Sequence, residues 1–133
     1  MDTDKRKISI KTSYQDEFLD VTHRIEQIVQ ESGVGEGVCF IFCPHTTAGL
    51  TINENADPDV KKDVLRGLEK MVPSLNYSHL EGNSPAHIKA SLMGFSLQVL
   101  IQDGSLVLGT WQGIYFCEFD GPRTRNIHVQ IMS

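Results

Sequence analysis

Three stretches of this chain gather the residue types from which proton-transfer, metal and phosphate sites are built. The first runs from Pro44-His45-Thr46-Thr47 to Ile52-Asn53-Glu54-Asn55-Ala56-Asp57. The second is His79-Leu80-Glu81-Gly82-Asn83-Ser84-Pro85-Ala86-His87, and the third runs from Leu108-Gly109-Thr110-Trp111-Gln112-Gly113 to Glu118-Phe119-Asp120-Gly121-Pro122-Arg123. Together they hold three of the five histidines and the only tryptophan, which points to one polar site.

His45, His79 and His87 are suited to hold zinc or a similar divalent ion, with Asp57 or Glu81 completing or orienting the shell. Read singly, they are three surface or capping histidines, because the His79 to His87 spacing matches no compact ligand motif. Asp57 before Pro58 is explained by capping alone, whereas Asn53 and Glu54 have no such role and stand as substrate-binding candidates. Ser84 before Pro85 also reads as a cap, yet with Asn83 it borders the first-turn N–H groups of a helix, a natural seat for an anion.

Trp111 and Gln112 lie between Gly109 and Gly113, where the indole either stacks on a heterocycle or buries core or subunit surface. Glu118 and Asp120 share a strand face, and Arg123 follows after a turn. They are either a structural Glu–Arg set or a group in which Arg123 grips phosphate while Glu118 or Asp120 binds a cation or moves protons. The catalytic candidates are therefore His45, Glu118, Asp120 and Arg123.

The elements that carry these residues follow from periodicity. Lys7 to Thr12 alternates with period two and predicts a strand from near residue 5. Val21, Ile25, Ile28 and Val29 recur at helical spacing, with Asp20 and Thr22 as caps and Gly33 as the stop. Val38 to Cys43 is a continuous apolar run, expected as a strand buried on both faces, with Thr47 to Ile52 returning as its neighbour. Asp57-Pro58 opens a helix whose stripe is Val60, Val64, Leu65, Leu68 and Met71, and Pro73 stops it. A loop carrying His79 and Glu81 leads to a short helix at Ser84-Pro85, closed by Gly94. The remainder reads as strands with turns at Asp103-Gly104 and Asp120-Gly121-Pro122. This order predicts a single α+β domain over residues 1–133, a mainly antiparallel β-sandwich with two to three helices on one side.

Composition narrows the partners. A chain of 133 residues with 40% hydrophobic and 22% charged residues is globular and buries a core without disulfides. A net charge of -5 without a basic run argues against nucleic acid. Met1 to Lys7 opens no apolar signal segment, and no long hydrophobic stretch follows, so no membrane partner is expected. Cys39, Cys43 and Cys117 are an odd set suited to burial in a reducing, cytoplasmic compartment.

The segments PHTTAGLTINENADPDV, HLEGNSPAHIKASLMG and LVLGTWQGIYFCEFDGPRTR resemble the signature blocks of the YjbQ family, described as secondary thiamine-phosphate synthases. The likeness covers roughly residues 5 to 132. It implies a compact α+β sandwich assembled as a homotrimer, with the polar blocks near subunit contacts. It also implies a weak activity that joins hydroxymethylpyrimidine diphosphate to thiazole phosphate with release of pyrophosphate. Magnesium accompanying the diphosphate, or a metal at the three histidines, is the expected cofactor, and a small phosphorylated heterocycle the expected partner. Two other readings stay open: a metal-dependent hydrolase of a small phosphorylated compound, and a non-catalytic trimeric module that binds a metal or metabolite.

Overall fold

The computed structural model describes residues 3–133. Two antiparallel sheets form the frame. The larger has the order β1-β8-β3-β5-β6, built from β1 (Thr3–Lys11), β3 (Gly37–Phe42), β5 (Ser96–Gln102), β6 (Ser105–Leu106) and β8 (Thr124–Met132). The smaller has the order β2-β7-β4, built from β2 (Glu17–Asp20), β4 (Ala48–Glu54) and β7 (Gln112–Glu118).

The main core lies between the sheets. Inward residues of the larger sheet, among them Ile10, Ile41, Val99, Ile127 and Ile131, meet Leu50, Ile114 and Phe116 of the smaller one. Helix α1 (Thr22–Ser32) adds Ile25, Ile28 and Val29 to that core. On the other face of the smaller sheet, α2 (Pro58–Met71) and α3 (Ser84–Met93) pack Leu68, Ala86 and Ala90 on Phe18, Tyr115, Cys117 and Phe119. The three-stranded sheet is thus covered on both faces, as the strand-rich, helix-interrupted sequence order requires.

Two expectations about β3 are corrected. Cys39 and Ile41 are buried, but Phe40 and Phe42 face outward and are exposed, so the strand is buried on one face only. The segment from Thr47 onward does not return beside β3. Instead β4 pairs with β7, from Ala48 opposite Glu118 to Glu54 opposite Gln112, and so crosses to the other sheet. An apolar run cannot distinguish these cases, because residues on the outer face of a sheet that lacks a covering layer still read as β-formers.

Local chemistry sets the helix starts. Asp57 caps α2 by accepting the Asp59 N–H at 2.9 Å, ahead of Pro58. Asp20 accepts the Thr22 N–H at 2.9 Å at the start of α1, where the cap position itself is Val21. Gly49 lets α3 approach β4: a Cβ there would lie 2.6 Å from the Gly94 carbonyl oxygen and 3.2 Å from the Met93 Cβ. Among the described residues no helix is long and apolar enough to cross a membrane.

Candidate functional site

Where β3 and β7 end and α3 begins, a cleft of about 360 Å³ is lined by His45, His79, His87, Asn83, Asp120 and Arg123. These side chains come from the link after β3, the long loop before α3, the first turns of that helix and the β7–β8 turn. Only the fold brings them together.

His45 is half-buried beneath the cleft wall. Its Nε2 lies 2.9 Å from the Asn126 backbone N and 3.1 Å from the Asn126 carbonyl oxygen, so one residue engages this nitrogen in either tautomer. Burial lowers its pKa below the ordinary imidazole value, and the nearby Arg125 charge lowers it further. The ring is therefore neutral near pH 7, with its Nε2 held against the Asn126 backbone.

The rings of His79 and His87 meet edge-on, with centroids 5.4 Å apart. Asn83 occupies the cap position of α3 but makes no side-chain capping bond. Its Nδ2 donates instead to Asp120 Oδ2 at 3.0 Å, and its buried Oδ1 has no partner among the described residues. Arg123 donates to the same Asp120 oxygen at 3.1 Å and to the Asp120 carbonyl at 2.8 Å. Asp120 thereby holds both an amide and an exposed guanidinium at the cleft mouth.

Three expectations about the site need correction. Glu118 is not a cleft residue: it is 0% exposed and enclosed by donors. Arg125 donates to it from Nε at 2.8 Å and from Nη2, Thr12 Oγ1 donates at 2.9 Å, and the Asp120 N–H donates at 2.9 Å. Burial raises the Glu118 pKa, but the Arg125, Asp120 and Thr12 hydrogen bonds outweigh it and hold the carboxyl below its ordinary value. Glu118 is an ionised structural anchor, with its oxygens turned to these donors and away from any substrate.

The metal triad is the second. His45, His79 and His87 line one cleft, yet among the described residues no three His, Cys, Asp or Glu side chains are grouped to hold an ion. The His45 Nε2 faces the Asn126 backbone and is not free for an ion. The three histidines in this arrangement do not fit a metal centre, and no chemical step is assigned to one.

The third concerns position. Asn53, Glu54, Trp111 and Gln112 lie at the far end of the smaller sheet, where Glu54 pairs with Gln112 and Asn53 with Gly113. Their end of β4 is about 20 Å from Ala48 at strand rise, and they do not join the histidines. Trp111 is 63% exposed, so it buries no core. Ser84 is the first residue of α3, not its cap.

Arg125 stands outside the residues singled out above, although the sequence carries a signal for it. Arg125, Ile127, Val129 and Ile131 alternate on one face of β8, so an arginine at an inward parity marks a buried charge in need of a partner. Lys89 is the other hidden cation. It is buried on α3, donates to Asp16 at 2.7 Å and to Glu69 at 2.9 Å, and lies 5.9 Å from the Phe119 ring centroid.

An antiparallel α+β sandwich, helix-covered on the smaller sheet and with a polar cleft at the ends of β3 and β7, defines the class of protein. Residues 6–133 match the model of the UPF0047 protein YjbQ-like family, and the chain belongs to that family. It is 53% identical to the UPF0047 protein YugU of Bacillus subtilis over 96% of this chain and 98% of the relative. It is also 53% identical to a UPF0047 protein of Methanocaldococcus jannaschii over 95% of this chain and 92% of that one. A crystal structure of a YjbQ/UPF0047-family protein from Clostridium acetobutylicum superposes with a TM-score of 0.93 at 58% identity, covering 96% of this chain and 99% of the other. A YbjQ-like protein of unknown function from Sulfolobus solfataricus gives 0.94 at 36% identity, covering 98% and 96%.

Proposed function

We propose that the histidine cleft binds a small phosphorylated heterocycle and that the chain is a secondary thiamine-phosphate synthase. In that reaction the thiazole nitrogen attacks the methylene carbon of hydroxymethylpyrimidine diphosphate. A C–N bond forms, the C–O bond to the diphosphate breaks, and pyrophosphate leaves with the bonding electron pair. The thiazole nitrogen becomes cationic, and no proton moves in this step.

Such a displacement calls for charge neutralisation on the leaving diphosphate more than for a base. The observation that carries the reading is the convergence of Arg123 with His45, His79 and His87 on one polar cleft. Arg123 offers a fork of donors suited to phosphate oxygens, and the three imidazoles supply further hydrogen bonds. Asp120 positions the guanidinium.

The homotrimer belongs to this proposal. Its support is the outer face of the larger sheet, where Phe40, Phe42 and Leu100 are exposed with no covering layer among the described residues. Sedimentation velocity of the wild type and of Phe42→Arg tests it, and a monomeric wild type rejects it.

For the reaction, the two phosphorylated heterocycles are supplied with magnesium, and product formation is compared between wild type and Arg123→Ala. The expected result is a loss of about 100-fold or more, the scale of removing one charge-stabilising donor. An unchanged rate removes Arg123 from the mechanism, and no product from either protein rejects the synthase reading.

A further inference from the structure

A second cleft, larger than the one with the histidines, lies at the other end of the smaller sheet. It opens between α1 and the chain from Gly104 to Gln112 and encloses about 560 Å³. We propose that this second cleft binds a planar, unphosphorylated heteroaromatic compound, cationic or neutral, that carries an amide or N–H edge.

The lining defines this chemistry. Val29, Leu106 and Leu108 provide an apolar floor continuous with the main core. Glu26, Gln30 and Gln112 provide a polar wall. The lining is mostly polar around these three apolar side chains, so a ligand of several hundred Å³ finds a small apolar patch for a ring face and many directed groups for its polar edge. Among the described residues no lysine or arginine lines this cleft, and its one carboxylate is Glu26, with His23 Nδ1 3.9 Å away. A phosphate would enter beside a carboxylate without a compensating cation, whereas a cationic or N–H-bearing ring finds acceptors.

The wall is also held in place. Asn55, which lines the cleft, donates through Nδ2 to Asp20 Oδ2 at 3.1 Å. Gly113 makes room for it, since a Cβ there would lie 2.3 Å from Asn55 Nδ2. Gln112 accepts the Gly109 N–H through Oε1 at 2.8 Å, which orients its amide. Trp111 stands between Thr110 and Gln112, both lining residues, and its exposed indole is close enough in the chain to report on occupancy of the cleft. This site is separate from the histidine cleft and disfavours the anionic ligands proposed for that one.

The single tryptophan supplies the test. Three probes with one ring and different charge are titrated: 1-methylnicotinamide (cationic), nicotinamide (neutral) and nicotinate (anionic). Trp111 fluorescence is followed alongside calorimetric heats. The expected result is saturable binding in the order cationic, neutral, anionic. Glu26→Gln and Gln112→Ala, each with an unchanged melting temperature, should weaken the cationic probe about tenfold, equivalent to ~1.4 kcal/mol. Arg123→Ala and added pyrophosphate should leave it unchanged, so failure of the histidine-cleft reading is seen separately. Linear, non-saturating quenching without heat overturns the proposal, as does nicotinate binding as tightly as 1-methylnicotinamide.

Discussion

Glu118 and Arg125 form a buried ion pair across the β7–β8 turn, with Arg125 in the wall of the histidine cleft and Glu118 behind it. Arg125 also donates to the Thr47 hydroxyl at 2.9 Å and to its carbonyl at 3.3 Å. Thr12 Oγ1, which donates to Glu118, accepts the Arg123 N–H at 2.9 Å. The pair therefore ties the end of β1, the approach to β4, the end of β7 and the start of β8 into one polar knot that sets the cleft wall.

Removing one member of this knot leaves a buried charge without its counterpart. Glu118→Ala and Arg125→Ala are each expected to destabilise the fold by about 3–5 kcal/mol, whereas replacing both with packed apolar residues should recover much of the loss. Urea unfolding of the two single variants and of Glu118→Leu/Arg125→Met measures this. Additive losses in the double variant would contradict the pairing.

The same carboxylate predicts an acid limb. Its folded pKa is held below the ordinary value of 4.5, so the unfolded chain binds the proton more readily. The stabilisation is complete above about pH 4.5 and is lost as pH falls through the lower folded value. Stability measured from pH 7 to pH 3 should fall on that limb in the wild type. In Glu118→Gln the corresponding component should be missing.

His45 adds a second pH dependence, at higher pH. Burial and Arg125 depress its folded pKa below 6.5, so the neutral form is favoured in the native state. This contribution is present above the unfolded pKa of about 6.5 and is lost as pH falls from there through the folded value. His45→Asn should abolish the stability change below about pH 6.5 that belongs to this ring. An identical profile in the variant would reject the assignment.

Gly49 makes a steric prediction. Gly49→Ala places a methyl group against the Gly94 carbonyl oxygen, at the end of the helix that supplies His87. Overpacking of this kind costs typically about 1–3 kcal/mol. A lowered denaturant midpoint together with weaker pyrophosphate binding is expected, and a midpoint equal to wild type would show that α3 yields freely.

Much of the frame is legible in local pattern. Alternation in Lys7 to Thr12 marks a half-buried strand, and β1 runs from Thr3 to Lys11. The Asp57-Pro58 cap is present in the structure, as are the two helices that follow the Pro-containing starts. β2, from Glu17 to Asp20, escapes a reading by pattern because four residues carry too little periodicity. The partner of β4 escapes it because pairing is a long-range choice: its ladder to β7 joins segments far apart in the chain, and the segment's own composition fits either sheet.

The sequence by itself determined most of the segments that become strands and helices, which residues are chemically able to act, and that His45, His79, His87 and Arg123 sit in motifs of one family. Those properties depend on side-chain type and near-neighbour spacing. Tertiary structure decided which polar residues meet. It set Glu118 inward against Arg125 and joined Asn83 to Asp120 and Arg123. It also carried Glu54, Trp111 and Gln112 to the opposite end of β4 and β7, because an antiparallel ladder sends the two ends of each strand to opposite edges of the molecule.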